Sequence, residues 1–141
     1  MAIKDCDLVD LPKMADERGA LSFIEGARHI PFDIKRVYYL YHVLDKATRG
    51  SHGHKKLEQL IVPVSGSFEI TLDDGRNKRT FILDRPSVGL YVCPMIWRDI
   101  KNFSHDAVCL VLASEYYSED DYYRNYEEFI RAVNANDNTI C

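Results

Sequence analysis

The chain has 141 residues with 46% hydrophobic and 28% charged residues, which is an ordinary composition for one globular domain. Its formal net charge of −4 argues against nucleic-acid binding, because such proteins need a basic surface to neutralise phosphates. No apolar run approaches membrane-spanning length, and the first residues, MAIKDCDLVDLP, lack the apolar core of a signal peptide. We therefore expect a single cytoplasmic domain over residues 1–141 that binds neither membrane nor nucleic acid.

Short apolar runs separated by turn signals fill the sequence from about residue 20 to 115. They are rich in β-branched and aromatic residues and read ALSFIEG, IKRVYYLYHV, LEQLIVPVSG, SFEITLDDG, RTFILDRP, VGLYVCP and AVCLVLAS. Strands of this length and spacing, with no helical period between them, are typical of an antiparallel barrel or sandwich. We predict an all-β domain whose barrel or sandwich covers about residues 15–115.

The end of the chain has a helical pattern. In SEDDYYRNYEEFIRAVNAN, Ser118 is followed three residues later by Asp121, as in a capping box, and acidic residues crowd the first turn. Large side chains then recur at helical spacing, at Tyr122, Tyr126, Phe129, Ile130 and Val133. We predict a C-terminal helix over about 118–135 that packs on the β-domain.

The segment RGSHGHKKLEQLIVPVSG carries the strongest chemical signal in the chain. His52 and His54 are two residues apart, so in a strand they point to the same side. Glu58 and Gly66 follow, and the whole stretch resembles the first signature of the cupin superfamily. In metal-binding cupins the two histidines and the glutamate of this signature are ligands.

The second cupin signature, which supplies a fourth histidine ligand, is altered in this chain. In GLYVCPMIWRDIKN, Arg98 falls about where that histidine belongs, and Ile96 stands where a glycine does. A guanidinium has no lone pair to donate and repels a divalent cation. Three ligands can hold a catalytic zinc, but the fixed positive charge favours a site without metal. The imidazoles would then transfer protons, since histidine titrates near neutral pH.

Six segments together resemble one family, the dTDP-4-dehydro-6-deoxyglucose 3,4-ketoisomerases, also called WxcM-like sugar-nucleotide oxoisomerases. They cover about residues 15–130 and read DERGALSFIEG, IPFDIKRVYYLYHV, RGSHGHKKLEQLI, SGSFEITLDDG, RPSVGLYVCPMIWR and NFSHDAVCLVLASEYYSEDDYYRNYEEF. The resemblance implies a cupin jelly roll and an isomerase that moves a carbonyl from C4 to C3 of a dTDP-linked 4-keto-6-deoxyhexose. It also implies no metal or organic cofactor, a homodimer, and a role in supplying deoxyaminosugars for bacterial surface glycans such as the lipopolysaccharide O-antigen.

The same resemblance places catalysis on His52, His54 and one of the pair Tyr38/Tyr39. We expect His54 to be the base because it lies deeper along its strand, with His52 stabilising or relaying the proton. Removal of the hydrogen on C3 would give an enediol intermediate. Tyr38 is favoured as the hydrogen-bond donor to its oxygen because Tyr38 shares a strand face with Arg36.

A substrate diphosphate requires cations, and the chain lacks a Gly-rich phosphate loop. Arginine suits two-point contact with phosphate oxygens, so Arg36, Arg98 and Arg18 are the predicted substrate-binding cations. Lys56 and Tyr39 are further candidates. Lys56 could equally belong to a solvated strand end, and Tyr39 could equally be a packed or interface aromatic.

Other functions stay open from the sequence. An epimerase of dTDP-4-keto-6-deoxy sugars would use the same side chains but return the proton to the same carbon. A non-catalytic cupin would bind a nucleotide sugar as a sensor, although binding a neutral sugar needs no titrating base. A metal-dependent dioxygenase is disfavoured by Arg98. The sequence does not decide whether the product has the gluco or the galacto configuration at C4.

Overall fold

Antiparallel strands make up most of the regular secondary structure in this computed structural model, which describes residues 2–138. The first sheet contains β1 Asp7–Asp10, β4 Arg36–Leu40, β6 Gln59–Ser65, β9 Val88–Val92 and β11 Val108–Ala113. Their order is β1-β9-β6-β11-β4, and every pairing is antiparallel. The strand β4 therefore lies at one edge of this sheet.

A second five-stranded sheet faces the first. It contains β5 Arg49–His54, β7 Phe68–Asp73, β8 Lys78–Leu83, β10 Trp97–Lys101 and β12 Tyr122–Tyr123. The order is β12-β5-β10-β7-β8, again antiparallel throughout. Two further strands, β2 Lys13–Asp16 and β3 Gly19–Ser22, pair only with each other, and all of their residues are exposed.

Alternation along the strands builds the core between the sheets, because successive side chains point to opposite faces. The main apolar cluster joins both sheets and includes Ile61, Leu90 and Val111 from the first and Ile70, Leu72 and Ile100 from the second. Leu60 and Val62 point to the other face of the first sheet, where Ile30 and Phe32 cover them. The first sheet is thus buried on both faces along β6.

The predicted all-β architecture with a C-terminal helix is confirmed, in the form of a sandwich. Within residues 2–138 the strands form separate sheets that do not close into a barrel. The first sheet includes residues before the predicted start near residue 15, since β1 already pairs with β9 from Asp7. No helix within those residues reaches the length and apolarity that crossing a bilayer requires.

The helix α1, Tyr126–Asn138, begins eight residues later than predicted. Ser118 makes no side-chain cap and instead precedes a 3₁₀ turn at Glu119–Asp121, which leads into β12. The carboxylate of Asp121 accepts hydrogen bonds from the His54 ring and from the backbone N–H of Lys56 instead. Asn125 caps the helix instead, since its side-chain oxygen accepts a hydrogen bond from the backbone N–H of Glu128 at 3.0 Å.

The helix packs on the outer face of the second sheet. Phe129 is fully buried there, with its ring centroid 5.9 Å from that of Trp97 on β10, and Val133 joins the same cluster. Gly53 makes this contact possible, because a Cβ atom at that position would lie 3.2 Å from the Phe129 ring. The residue between the two histidines therefore faces the helix, while the histidines face the other way.

We expect Phe129→Ala to lower the free energy of unfolding by about 3–5 kcal/mol, because it removes a large side chain from a closed apolar cluster. Urea denaturation followed by circular dichroism measures this value. Glu127→Ala, on the exposed side of the same helix, is the control and should change stability by less than about 0.5 kcal/mol. Equal midpoints for the two variants would contradict this packing.

Candidate active site

A cavity of about 290 Å³ lies between the two sheets. Its walls are polar and aromatic on several sides, with four arginines. It is lined by Arg36, Tyr38, Leu40, Arg49, Gly50, His52, Gln59, Ile61, Arg98, Ile100, Val111, Tyr117, Tyr122 and Arg124. The side chains come from both sheets and from the segment after β11, so the whole sandwich is needed to assemble the cavity.

The two-residue period of β4 selects which of its side chains reach the cavity. Arg36, Tyr38 and Leu40 line it, while Val37 and Tyr39 point to the outer face. Tyr39 is 58% exposed there and stacks near Tyr41. Of the two tyrosines left open by the sequence, the structure brings Tyr38 to the cavity and places Tyr39 away from it.

His52 reaches the cavity through an irregularity in β5. The pairing of β5 with β10 shifts register at Ser51, which has a positive φ of 53°, as at a β-bulge. The His52 ring then turns back so that Nδ1 lies 3.0 Å from the carbonyl oxygen of Gly50. A carbonyl only accepts, so neutral His52 carries its hydrogen on Nδ1. Its Nε2 is buried without a partner among the described residues and keeps its lone pair.

His54 lies behind His52, fully buried and outside the set of residues that line the cavity. Its Nδ1 donates to Oδ2 of Asp121 at 3.1 Å, and Oδ1 of Asp121 accepts from the backbone N–H of Lys56 at 2.8 Å. The two imidazoles stand edge to face with centroids 4.9 Å apart, and the Tyr122 ring contacts both. Asp121 thus fixes the orientation of a ring that supports the cavity-facing histidine.

Both imidazoles are held in the neutral form. Burial, followed by the positive charge of Arg98, lowers the pKa of His52 from 6.5 to about 4. Burial and the charge of Arg98 also lower the pKa of His54 well below its usual range. A neutral imidazole with an available Nε2 can take a proton, which is the property that a general base requires.

Arg98, Gln59 and Tyr38 form a hydrogen-bonded row on the cavity wall. Arg98 is 1% exposed, and its Nη2 donates to the carbonyl oxygen of Ile96 at 2.8 Å. Its Nη1 donates to Oε1 of Gln59, and Nε2 of Gln59 donates to the Tyr38 hydroxyl at 2.9 Å. Burial raises the pKa of Tyr38, so this phenol stays protonated and can donate a hydrogen bond.

The guanidinium of Arg36 has hydrogen-bond donors that find no partner among the described residues. Its Nε and Nη2 are buried without a hydrogen-bond partner. The group lies 5.2 Å from the centroid of the Tyr38 ring and 5.6 Å from that of Tyr117. An arginine held between aromatic rings with unused donors is suited to an anionic ligand.

Three of the predicted substrate-binding residues do not line the cavity of their own chain. Arg18 is on the exposed β2–β3 hairpin and pairs with Asp16 at 2.8 Å. The Lys56 side chain is exposed beyond the end of β5. Tyr39 lies on the outer face, as described above. Of the other five predicted residues, four line the cavity, namely Arg36, Tyr38, His52 and Arg98, and His54 lies behind its wall.

Glu58, the presumed third residue of the cupin signature, points away from the cavity. Its carboxylate accepts a hydrogen bond from the Tyr91 hydroxyl at 2.6 Å. The next residue, Gln59, faces the cavity in its place, and an amide is a poorer metal ligand than a carboxylate. Among residues 2–138 no three His, Cys, Asp or Glu side chains are grouped as metal ligands. The prediction that the site works without metal still depends on the buried positive charge of Arg98.

Several residues of the site were not predicted: Gln59, Asp121, Tyr122 and Arg124. Gln59 had a signal, because the cupin signature allows three or four residues before its acidic position, and the longer spacing falls on Gln59. Tyr122 and Arg124 were assigned to the helix, and nothing local in the sequence indicates the short strand that carries Tyr122 to the histidines.

Comparison with known proteins identifies the group to which this arrangement belongs. The family model "FdtA: WxcM-like, C-terminal" matches residues 4–134. The chain belongs to this family. A TDP-4-oxo-6-deoxy-alpha-D-glucose-3,4-oxoisomerase from Aneurinibacillus thermoaerophilus is 48% identical over 126 residues, which cover 89% of this chain and 91% of that relative. The family resemblance predicted from the sequence is thereby confirmed.

Solved structures give the same family assignment. A histidine-to-asparagine variant of the 3,4-ketoisomerase QdtA from Thermoanaerobacterium thermosaccharolyticum, in complex with TDP-4-keto-6-deoxyglucose, is 43% identical with a TM-score of 0.92, covering 95% of this chain and 97% of that one. The WlaRB TDP-quinovose 3,4-ketoisomerase from Campylobacter jejuni is 46% identical with a TM-score of 0.87, covering 92% and 99%. The fold of the WxcM-like family therefore extends over nearly the whole chain.

We expect nitrogen-15 NMR of histidine-labelled protein to find His52 and His54 neutral, with hydrogen on Nδ1, from pH 7 down to about pH 5. His52 should begin to gain a proton only as the pH approaches its lowered pKa of about 4. Spectra of His52→Asn and His54→Asn assign the two signals. Titration of the His52 signal near the ordinary value of 6.5 would contradict the described environment.

Proposed function

We propose that this chain is a 3,4-ketoisomerase that converts dTDP-4-keto-6-deoxy-D-glucose into the dTDP-3-keto-6-deoxyhexose. The observation that carries the proposal is the His52 imidazole, held neutral with an available Nε2 on the wall of a cavity that also contains Tyr38 and Arg98. The names of relatives that align along nearly the whole chain support the same reaction.

The cavity suits the sugar ring, and its mouth suits the diphosphate. A volume of about 290 Å³ is near the lower end of ligand pockets, so the nucleotide would extend outward. Arg36, Arg49 and Arg124 stand on the more exposed part of the lining, whereas Arg98 is buried deep. We assign the diphosphate to the first group, with Arg36 as the principal contact because its Nε and Nη2 have no partner among the described residues.

The reaction starts with removal of the hydrogen on C3, which is weakly acidic because it lies next to the C4 ketone. We assign this step to Nε2 of His52. The electrons of the C3–H bond form the C3=C4 bond, and the C4 oxygen, hydrogen-bonded by Tyr38, takes up a proton from solvent, which gives an enediol. The His52 imidazolium, whose proton exchanges with solvent, then protonates C4, and the C3 hydroxyl releases its proton to solvent, which leaves the ketone at C3. One base and one hydrogen-bond donor are sufficient for this sequence.

Tyr38 and Arg98 are suited to the developing negative charge on the C4 oxygen. Tyr38 is a protonated phenol on the cavity wall, and Arg98 contributes a fixed positive charge in a buried site where electrostatic interactions are strong. Burial and the same charge lower the pKa of His52, so the base remains unprotonated at neutral pH. Neither role requires a metal or an organic cofactor.

The sequence favoured His54 as the base, and the geometry favours His52. His54 is fully buried and does not line the cavity, so its Nε2 does not face a bound sugar. We therefore propose that His54 is a positioning residue that holds the His52 ring from behind.

Isomerisation in heavy water tests both the reaction and the base. With dTDP-4-keto-6-deoxyglucose, the wild-type protein should give a 3-keto product with deuterium at C4, as followed by proton NMR. His52→Asn should slow exchange at C3 by about 10²–10⁴-fold, the usual contribution of a general base, while dTDP affinity is unchanged. His54→Asn is the matched variant and should be affected less.

The outcomes separate the alternatives. A product with an inverted centre and the ketone still at C4 would indicate an epimerase, and unchanged substrate would indicate a binding protein. If His54→Asn abolishes exchange while His52→Asn retains it, then the base is His54.

We further propose that the protein is a homodimer. Val37 and Tyr39 on the outer face of β4, at the edge of the first sheet, are each more than half exposed. Tyr41, just after the strand, is also more than half exposed, and Leu44 is 78% exposed. An exposed edge strand with large apolar side chains is a surface that proteins normally cover. Arg18 remains a substrate-binding candidate only through such a dimer, because its hairpin carries it away from its own cavity.

Light scattering should give twice the subunit mass for the wild-type protein. Tyr39→Asp should shift the mass toward one subunit, because it places a charge in the proposed interface. Ile82→Asp, on an exposed position of the other sheet edge, is the control and should leave the mass unchanged. A monomeric wild-type protein would rule out the dimer.

The cytoplasmic location and the supply of deoxyaminosugars for surface glycans remain parts of this proposal. Both are consistent with a nucleotide-linked substrate. The proton NMR spectrum of the product also gives its configuration at C4.

A further inference from the structure

Gln59 is a buried side chain in the cavity that the reaction described above does not use. It is 1% exposed at the start of β6 and lies between Arg98 and Tyr38. The amide contacts both residues, so any effect that it has on the reaction passes through groups already assigned to the enediol oxygen.

The orientation of this amide is fixed by its neighbours. Arginine can only donate hydrogen bonds, so the oxygen of Gln59 must face Arg98, and the NH₂ group must face Tyr38. Arg98 is itself anchored, because its Nη2 donates to the carbonyl oxygen of Ile96 at 2.8 Å. The alternative amide orientation would place two donors against each other at Arg98.

This row of hydrogen bonds determines the role of the Tyr38 hydroxyl. The NH₂ group of Gln59 donates to the Tyr38 oxygen at 2.9 Å, so Tyr38 is the acceptor in that contact. The hydroxyl hydrogen of Tyr38 cannot also point at Gln59 and must be directed elsewhere. Since Tyr38 lines the cavity, the bound sugar is the group that would receive it.

We propose that Gln59 is a positioning residue that makes Tyr38 an obligate hydrogen-bond donor to the enediol oxygen of the substrate. The inference rests on the proposed ketoisomerase function. The amide of Gln59 would decide whether the Tyr38 hydroxyl donates to the substrate or to the protein.

Gln59→Glu tests the inference because it changes the hydrogen-bonding pattern with little change in shape. A carboxylate still accepts from Arg98 but also accepts from Tyr38, which turns the phenolic hydrogen away from the substrate. We expect kcat to fall by about 10²–10³-fold, as for loss of one donor to a developing oxyanion. KM and dTDP affinity should change by less than about threefold, since these report uniform binding.

A purely structural role gives a different result. The carboxylate introduced by Gln59→Glu would pair with the buried Arg98, so the variant should still fold. Its midpoint of thermal unfolding should be no lower than that of the wild-type protein. Asn102→Asp is the matched control. It is also an amide-to-acid change, at an exposed residue whose side chain donates to Glu69, and kcat should be unchanged.

A double-mutant cycle separates the action through Tyr38 from any other effect of the new charge. In the Tyr38→Phe background, Gln59→Glu should cause a smaller loss of kcat than in the wild-type protein, and the loss that remains reports the effect of the new carboxylate on Arg98. Full additivity of the two losses, or a normal kcat for Gln59→Glu alone, would overturn the inference. If Gln59→Glu does not fold, Gln59→Met takes its place, with an expected loss of about tenfold, as for one neutral hydrogen bond, and an unchanged kcat as the contradicting result. A wild-type protein that does not isomerise the substrate would instead refute the proposed function itself.

Discussion

The buried charge of Arg98 is the constraint on which the rest of the site depends. Its guanidinium is 1% exposed, and among the described residues its hydrogen bonds go to neutral oxygens of Gln59 and Ile96. Burying a charge without an ionic partner costs free energy, so the surroundings must offset that cost. Burial, together with the charge of Arg98, lowers the pKa of His52 and keeps it unprotonated, and the same charge favours negative charge on a ligand. An anionic intermediate in the cavity would supply the missing counter-charge, which makes Arg98 more favourable in the reacting complex than in the free protein.

The sandwich delivers these groups through the two-residue period of its strands. Tyr38, Gln59 and Arg98 stand on three strands from two sheets, and each has an apolar or exposed neighbour that points the opposite way. His52 departs from this regularity, because the bulge at Ser51 lets its ring turn back to the carbonyl of Gly50. Bulges often adjust a side chain next to an active site. The regular part of the fold thus places the donors and cations, and the irregular part orients the histidine that we propose as the base.

The sequence predicted what depends on neighbours along the chain and missed what depends on distant partners. Alternation along one strand was enough to place Tyr38 with Arg36, and the H-x-H pattern was enough to pair the histidines. The sequence did not reveal the hydrogen bond between His54 and Asp121, which are 67 residues apart. That bond takes the carboxylate that a capping box would have used, so the helix starts at Tyr126 rather than near Ser118. Tyr122 then belongs to a strand beside the histidines, although its spacing fits the helix.

The chemistry open to the histidine pair depends on which of two adjacent residues, Glu58 or Gln59, faces the cavity. A neutral imidazole with hydrogen on Nδ1 and a lone pair on Nε2 is the form that binds a metal and also the form that removes a proton. His52 therefore does not distinguish the two chemistries by itself. Its neighbours do, because Glu58 is turned away to Tyr91 while the amide of Gln59 and the guanidinium of Arg98 occupy the wall. Donors and a positive charge beside a free Nε2 oppose a cation and support an oxyanion, which is why we propose acid–base catalysis on this cupin scaffold.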